Sequence, residues 1–177
     1  MEIHIRKEEQ RDYPAVRRLV EDAFREVAES DHSEHYLVER LRMSEAFMPE
    51  LSLVAETGEG KIVGYVLLTK VEIVSDNAVV DSLGVAPLAV LPDCQKQGIG
   101  GALLNEAHRR AVGLGYGSAV LLGHPGYYPR FGYRKASGFG IVFPFDAPEE
   151  CCMAIELIPD ALKDAGGKVC YAKEFLE

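Results

Sequence analysis

The sequence has a deficit of basic residues. Lys and Arg together number 19 against 28 Asp and Glu, which gives a formal net charge of −9. Proteins that wrap a nucleic-acid backbone do so by neutralising phosphates with clustered Lys and Arg. The charge balance therefore argues against a nucleic-acid partner. It leaves room for a cationic small molecule or for a single phosphate group held locally.

The sequence also has few cysteines, no long apolar run and no apolar stretch within residues 1–10. The four cysteines form no C-x-x-C pair, and residues 1–10 are charged where a signal peptide needs an apolar stretch. The longest uncharged run, residues 111–129, contains five Gly and two Pro, which favours a strand between loops over a membrane span. We expect reduced thiols, a cytoplasmic location and no membrane contact.

Three common catalytic or nucleotide motifs are missing. The chain has no G-x-x-x-x-G-K-[ST] and no G-x-S-x-G. The pair Gly98 and Gly100 is followed by Leu103 where a dinucleotide fingerprint requires glycine. These absences weigh against P-loop nucleotide binding, dinucleotide binding and serine-hydrolase chemistry.

The length of 177 residues and the 47% hydrophobic content predict one globular domain over residues 1–177. Asp12 is expected to cap the first helix, with Pro14 in its first turn. Strands with helices between them indicate an α/β or α+β fold, with one mixed sheet and helices on its faces. In order, the predicted elements are a strand at 3–5, helices at 12–27 and about 37–44, a hairpin of 51–56 and 62–74, an interrupted strand at 78–91, a helix at 98–114, and strands at 118–122, 141–145 and 153–157.

The glycines are concentrated in the second half of the chain. Eleven of the 17 lie between Gly98 and Gly140. Residues 88–103 have the pattern of a strand, a loop, a glycine-rich turn and a helix start. A helix N-terminus offers unpaired N–H groups and a partial positive charge, so it can bind phosphate in an acidic protein. Gly98, Gly100 and Gly101 remove side chains that would block a diphosphate, and Lys96 adds a positive charge.

Gln95, Gly98 and Gly100 form a Q-x-x-G-x-G motif directly after a strand. This segment resembles the acetyl-CoA motif of the GNAT superfamily of N-acetyltransferases, Q/R-x-x-G-x-G/A. The order of predicted elements is similar to that family over nearly the whole chain. A second family feature is matched by residues 127–133, Tyr-Tyr-Pro-Arg-Phe-Gly-Tyr, and the preceding residues 124–126, His-Pro-Gly, resemble a subgroup of predicted acetyltransferases.

The resemblance implies a central, mostly antiparallel sheet that splays open, and acetyl-CoA as cosubstrate without a metal. It implies transfer of an acetyl group to a primary amine by direct attack in a ternary complex. In the family, the interrupted strand pairs with the pantetheine arm, and edge strands often pair in homodimers. The cofactor-binding residues implied here are Leu88, Ala89, Val90, Gln95, Lys96, Gln97, Gly98, Ile99, Gly100 and Gly101.

Proton transfer needs two further groups. The resemblance places the family's tyrosine on Tyr128, which we expect to protonate the departing thiolate; the alternative is a packing tyrosine, and Tyr127 is expected to pack. An amine with a pKa of roughly 10 must lose its proton before attack. Asp81, Glu72, Glu34 and an ordered water remain open as the base.

Other polar residues have simpler interpretations. His32 and His35 are expected on a solvated helix face rather than in a metal pair, and His124 is expected to stabilise a turn. Cys94 lies near a helix start, but no base is evident beside it. Two alternatives to the acetyltransferase stay open: an acyl-CoA-binding module without catalysis, and a nucleotide-binding protein.

Overall fold

The computed structural model describes every residue from Met1 to Glu177. Nine strands form one sheet in the order β1-β2-β3-β4-β5-β8-β6, and β9 pairs with both β3 and β7. Most neighbours are antiparallel, while β4–β5 and β7–β9 are parallel. The strands are β1 (Ile3–Lys7), β2 (Ser52–Thr57), β3 (Ile62–Val74), β4 (Val79–Val90), β5 (Ser118–Leu122), β6 (Arg134–Lys135), β7 (Ile141–Val142), β8 (Cys152–Glu156) and β9 (Gly167–Cys170).

Helices cover both faces of the sheet. They are α1 (Tyr13–Phe24), α2 (Glu34–Arg42), α3 (Ile99–Gly113) and α4 (Lys173–Leu176). Successive strand residues point to opposite faces. Leu53 therefore packs in the cluster beneath α3, whereas its neighbour Val54 packs beneath α1 and α2. The predicted mixed sheet with helices on its faces, mostly antiparallel, is confirmed.

The helix α3 is bounded by glycines in the left-handed region. Gly98 precedes the helix with φ 82°, and Gly115 follows it with φ 94°. The amide of Tyr116 then donates to the carbonyl of Ala111, which closes the last turn. Glycine adopts this conformation at little cost, so the two residues fix where the helix begins and ends.

A bulge interrupts the β3–β4 ladder where the sequence predicts an irregularity. Val85 pairs with Leu68 and Leu88 pairs with Val66, so Ala86 and Pro87 together face a single residue of β3. Proline has no N–H to donate to a ladder, and an extra residue bends the strand locally. The last part of β4 is therefore redirected relative to its first part.

Three expectations about local structure are wrong in detail, and one strand was missed. Asp12 makes no cap to α1; its carboxylate accepts two hydrogen bonds from Arg6 and one from the amide of Glu9. The predicted strand 141–145 extends only over two residues. The strand β9 was not predicted, since its short sequence has little apolar pattern. His35 is buried rather than solvated.

Candidate active site

The sheet opens between β4 and β5. The two strands pair only at Leu83 with Ala119 and at Gly84 with Val120. Beyond that point β5 continues its pairing with β8, while β4 continues along β3 to Val90. A wedge with free backbone groups therefore lies between the two parallel strands.

Backbone direction distinguishes the three β4 residues named from the sequence. The amide of Leu91 donates to the carbonyl of Val63 on β3. Backbone groups alternate between the two neighbours of a strand, so Ala89 also faces β3, whereas Leu88 and Val90 face the wedge. Ala89 is buried beneath α1 and α2. Only Leu88 and Val90 offer backbone groups to a ligand in the wedge.

The loop after β4 presents a run of unpaired amides. The backbone N–H groups of the six residues from Lys96 to Gly101 donate to no acceptor in the protein. Lys96 and Gly98 both have positive φ, 63° and 82°. Consecutive amides in such turns form concave anion sites, and the α3 N-terminus adds its partial positive charge. The arrangement fits a diphosphate, as the motif predicts.

The side chain of Gln95 links this loop to the end of β4. Its side-chain Nε2 donates to the carbonyl of Val90 over 3.1 Å. That carbonyl faces the wedge, so the side chain ties the loop to the end of β4. The side chains of Lys96 and Gln97 are exposed beside it.

Two of the motif glycines make room for aromatic side chains. A Cβ on Gly100 would lie 2.7 Å from the Tyr127 hydroxyl oxygen, and one on Gly101 would lie 2.9 Å from the ring of Phe131. Gly98 would meet nothing within 4 Å, so its backbone conformation is what requires glycine there. The sequence analysis expects all three glycines to clear space for a diphosphate. In the structure, Gly100 and Gly101 also make room for the aromatic residues packed on the first turn of α3.

Tyr128 lies in a 3-10 turn that follows β5. Its ring contacts Tyr127 and Tyr133 edge-on, at centroid distances of 5.1 and 5.8 Å. A Cβ on Gly123 would come within 2.6 Å of this ring, so a glycine directly after β5 is required for the position of Tyr128. Sequence reasoning overlooked Gly123, although a glycine immediately after a buried strand is a signal of close approach.

The chemistry of Tyr128 follows from its burial. Burial, and to a lesser extent the neighbouring Tyr127, raises the pKa of the Tyr128 phenol above its ordinary value. The hydroxyl makes no hydrogen bond within the protein. A phenol in this environment keeps its proton at neutral pH and has it available for a ligand.

The three side chains considered as bases lie in different places. Glu72 and Asp81 are paired across β3 and β4, exposed, on the side of the bulge away from the wedge. Burial raises the pKa of the Tyr116 phenol, just beyond the end of α3, and the nearby Asp81 carboxylate raises it further. The single hydroxyl proton of Ser30 is shared by the two carboxylate oxygens of Glu34, at 2.8 and 2.6 Å. The structure gathers none of them at Tyr128.

The structure also shows the environments of His124 and of the four cysteines. His124 accepts a hydrogen bond from the amide of Gly126, so it stabilises its turn as expected. Cys94 is buried, and all four cysteines are free thiols. No group of three or more His, Cys, Asp or Glu side chains is arranged to hold a metal ion. The helices are all too short or too polar to cross a bilayer.

Beneath α3 a buried pair connects the helix to the segment after Tyr128. His108 and Tyr133 are hydrogen-bonded through Nε2 and the phenol oxygen at 2.8 Å. Burial lowers the pKa of His108 to about 4, so the ring is neutral near pH 7 and shares one hydrogen bond with the phenol. Tyr133 belongs to the core.

Comparison with known proteins gives a consistent result. A sequence model of the acetyltransferase (GNAT) domain matches residues 4–136. The protein named uncharacterized N-acetyltransferase YhbS of Escherichia coli K12 is 32% identical over 164 residues, which cover 93% of each chain. The N-acetyltransferase YjhQ of the same strain, also named uncharacterized, is 38% identical over 117 residues, 64% of this chain and 63% of YjhQ.

Solved structures of two such proteins superpose on this chain. The crystal structure of Escherichia coli YhbS in complex with CoA has a TM-score of 0.88 at 31% identity and covers 99% of this chain and 92% of its own. A GNAT acetyltransferase from Brucella melitensis in complex with acetyl-CoA has a TM-score of 0.79 at 35% identity, covering 98% of both chains. The chain thus belongs to the GNAT family of N-acetyltransferases.

Proposed function

We propose that this protein transfers the acetyl group of acetyl-CoA to a primary amine by direct attack in a ternary complex. The observation that carries the proposal is the run of unpaired amides from Lys96 to Gly101 at the mouth of the β4–β5 wedge. The two features together provide an anion site for a pyrophosphate and an open strand edge for the arm attached to it. The CoA and acetyl-CoA complexes of the two relatives add support.

The cofactor contacts follow from the directions of the backbone groups. The amides of Lys96, Gln97, Gly98, Ile99, Gly100 and Gly101 hold the pyrophosphate. Leu88 and Val90 pair with the pantetheine arm through their backbone groups, and an N–H on this edge polarises the acetyl carbonyl. Ala89 keeps the strand in register with β3, and Gln95 holds the loop against the carbonyl of Val90.

Tyr128 is the proposed general acid. Its raised pKa keeps the phenol protonated, and its hydroxyl has no partner in the protein. When bound, acetyl-CoA supplies the thioester, whose cleavage leaves a thiolate that needs a proton. Tyr128 donates that proton, and the amine loses its own to solvent or to an ordered water, because no carboxylate is gathered beside the tyrosine.

We place this activity in the cytoplasm. The four free thiols support that location, since cysteines stay reduced in cytosolic proteins.

Two measurements test the function. Calorimetric titration with acetyl-CoA is expected to give saturable one-site binding, and a thiol assay is expected to detect CoA release only when a primary amine is present. Binding without release for every amine of a broad panel would instead identify an acyl-CoA-binding module. Thermal stabilisation by ATP or NAD but not by acetyl-CoA would contradict the proposal as a whole.

A further inference from the structure

The segment of residues 127–133 is attached to α3 at both of its ends. At one end, two aromatic side chains pack over Gly100 and Gly101 in the first turn of the helix. At the other end, Tyr133 is hydrogen-bonded to His108. Seven positions separate Gly101 from His108, which is nearly two helical turns, so both lie on one face of α3 about 10 Å apart.

Of these contacts, the hydrogen bond between His108 and Tyr133 is the directional one. Its length is 2.8 Å, and the two residues are only 9% and 2% exposed. The other buried residues of the cluster around Tyr133 are apolar. An apolar pair of similar shape could fill this space without the cost of desolvating two polar groups. What the polar pair adds is a fixed relative orientation of the two rings.

The orientation of Tyr128 depends on its neighbours. Its hydroxyl has no hydrogen-bond partner in the protein, so backbone and ring packing alone set where the phenol oxygen lies. The ring packs against Gly123 and against the rings of Tyr127 and Tyr133. The contact with Tyr133 is edge-on at a centroid distance of 5.8 Å. A displacement of the Tyr133 ring would therefore displace the Tyr128 hydroxyl.

We propose that His108 is a positioning residue for the transfer reaction: through Tyr133 it holds the Tyr128 ring where the phenol can protonate the departing thiolate. The inference rests on the proposed acetyl transfer. His108 is buried and acts only through the two tyrosine rings. A misplacement of about 1 Å can lower a rate about 100-fold, so a hydrogen bond remote from the thioester is expected to affect turnover.

Substitutions at His108 separate positioning from cofactor binding. His108→Phe keeps an aromatic ring but leaves the Tyr133 hydroxyl buried without a partner. This variant is expected to lower kcat by about 10-fold or more, with the dissociation constant of acetyl-CoA unchanged. His108→Gln keeps a hydrogen-bond partner for Tyr133 and is expected to restore most of the kcat. An unaltered kcat in His108→Phe would overturn the inference.

The matched pair of variants is Tyr133→Phe and Tyr65→Phe. Each removes the hydroxyl of a buried tyrosine, which is bonded to His108 at 2.8 Å in the first case and to Ser52 at 2.7 Å in the second. Tyr65 packs beneath α1 and α2, on the face of the sheet opposite to α3. Tyr133→Phe is expected to lower kcat as His108→Phe does, while Tyr65→Phe keeps it. Equal decreases in kcat would show a general loss of order and would also overturn the inference.

A measurement without turnover separates this inference from the proposed function. In protein labelled with carbon-13 at the phenol carbon of tyrosine, the NMR signal of Tyr128 is identified by its loss in Tyr128→Phe. This signal is expected to shift or broaden in His108→Phe and to keep its position in His108→Gln and Tyr65→Phe. An unchanged signal in His108→Phe would overturn the inference. A changed signal in a protein that releases CoA with no amine would refute the acetyl transfer and leave only the mechanical link between His108 and Tyr128.

Discussion

The Lys96–Gly101 loop and the buried pair of Arg42 with Glu8 differ in whether their polar groups have hydrogen-bond partners. In the loop, six consecutive amides have no acceptor in the protein. At the end of α2, Arg42 pairs with Glu8, Ser52 donates to the same carboxylate over 2.8 Å, and Ser52 also bonds the hydroxyl of the fully buried Tyr65 at 2.7 Å. The guanidinium of Arg42 also lies 3.8 Å from the ring centroid of Tyr13.

The difference distinguishes polar groups that stabilise the fold from polar groups that are available to bind a ligand. A buried polar network contributes to a unique structure only when its groups are satisfied. Amides left unpaired at a helix start contribute nothing to the fold and become useful when an anion binds. Substitutions in the Arg42 network should therefore change unfolding, and those in the wedge should change affinity or turnover.

The largest effect is expected from Arg42→Met. The substitution leaves the Glu8 carboxylate buried without its cation, which costs about 3–5 kcal/mol. Urea unfolding measures this change directly. Arg17→Met, which removes an exposed cation from Glu21 and Glu39, should lower the free energy of unfolding far less, because solvent screens exposed ion pairs. Equal losses of unfolding free energy in the two variants would contradict this difference between the buried and the exposed ion pair.

The buried His108 makes stability depend on pH. Its pKa is about 4 in the folded protein and about 6.5 in the unfolded chain, so the unfolded state takes up the proton first as the pH falls. Stability is full above pH 6.5 and should fall by about 3 kcal/mol in total as the pH decreases towards 4.

The matched control for this dependence is His108→Gln. Glutamine can accept from Tyr133 but does not titrate, so this part of the pH dependence should disappear. The free energy of unfolding between pH 7 and pH 4.5 measures it in both proteins. The same slope in both would show that other groups cause the acid sensitivity.

Within the wedge, Tyr128→Phe should act on turnover alone. Loss of a general acid is expected to lower kcat by about 100-fold or more, with the dissociation constant of acetyl-CoA unchanged. Tyr127→Phe serves as its control, since that tyrosine packs over Gly100. If the two variants had the same kcat as the unmodified protein, Tyr128 would be a packing residue.

The smallest of these effects is expected from Gly100→Val. The new side chain displaces Tyr127 and covers part of the amide run, which should weaken acetyl-CoA binding by about 10-fold to 100-fold through lost charge-assisted bonds. Gly113→Val at the other end of α3, where a side chain meets nothing within 4 Å, carries the same change in helix propensity. Comparable losses of affinity in both variants would refute a specific role for the loop.

Local patterns predicted much of this structure. The limits of α3 follow from glycines on either side of an apolar helical repeat, and the irregularity in β4 follows from Pro87. The Q-x-x-G-x-G motif located the unpaired amides, because a motif specifies backbone shape over a few consecutive residues. The roles of the residues in it remain predictions.

Features that depend on tertiary contacts were missed or misjudged. Asp12 has the right residue type for a helix cap, but Arg6 on β1 takes its carboxylate. His35 has a polar neighbourhood in sequence, yet packing of α1 against α2 buries it. Gly123 gave a local signal, but its partner Tyr128 is identified only once the ring is placed.

The sequence by itself determined the class of fold, the start of α3 and the family, because hydrophobic period, turn residues and a short motif are all written in neighbouring positions. Only the tertiary structure decided which polar groups are satisfied. Arg42 finds its partner Glu8 34 residues away in the chain, and Arg6 also pairs with Glu56, 50 residues away. Burial sets the free-energy cost of leaving such a group unpaired. The buried pairs of Arg42 with Glu8 and of His108 with Tyr133 are thus visible only after the sheet and its helices have assembled.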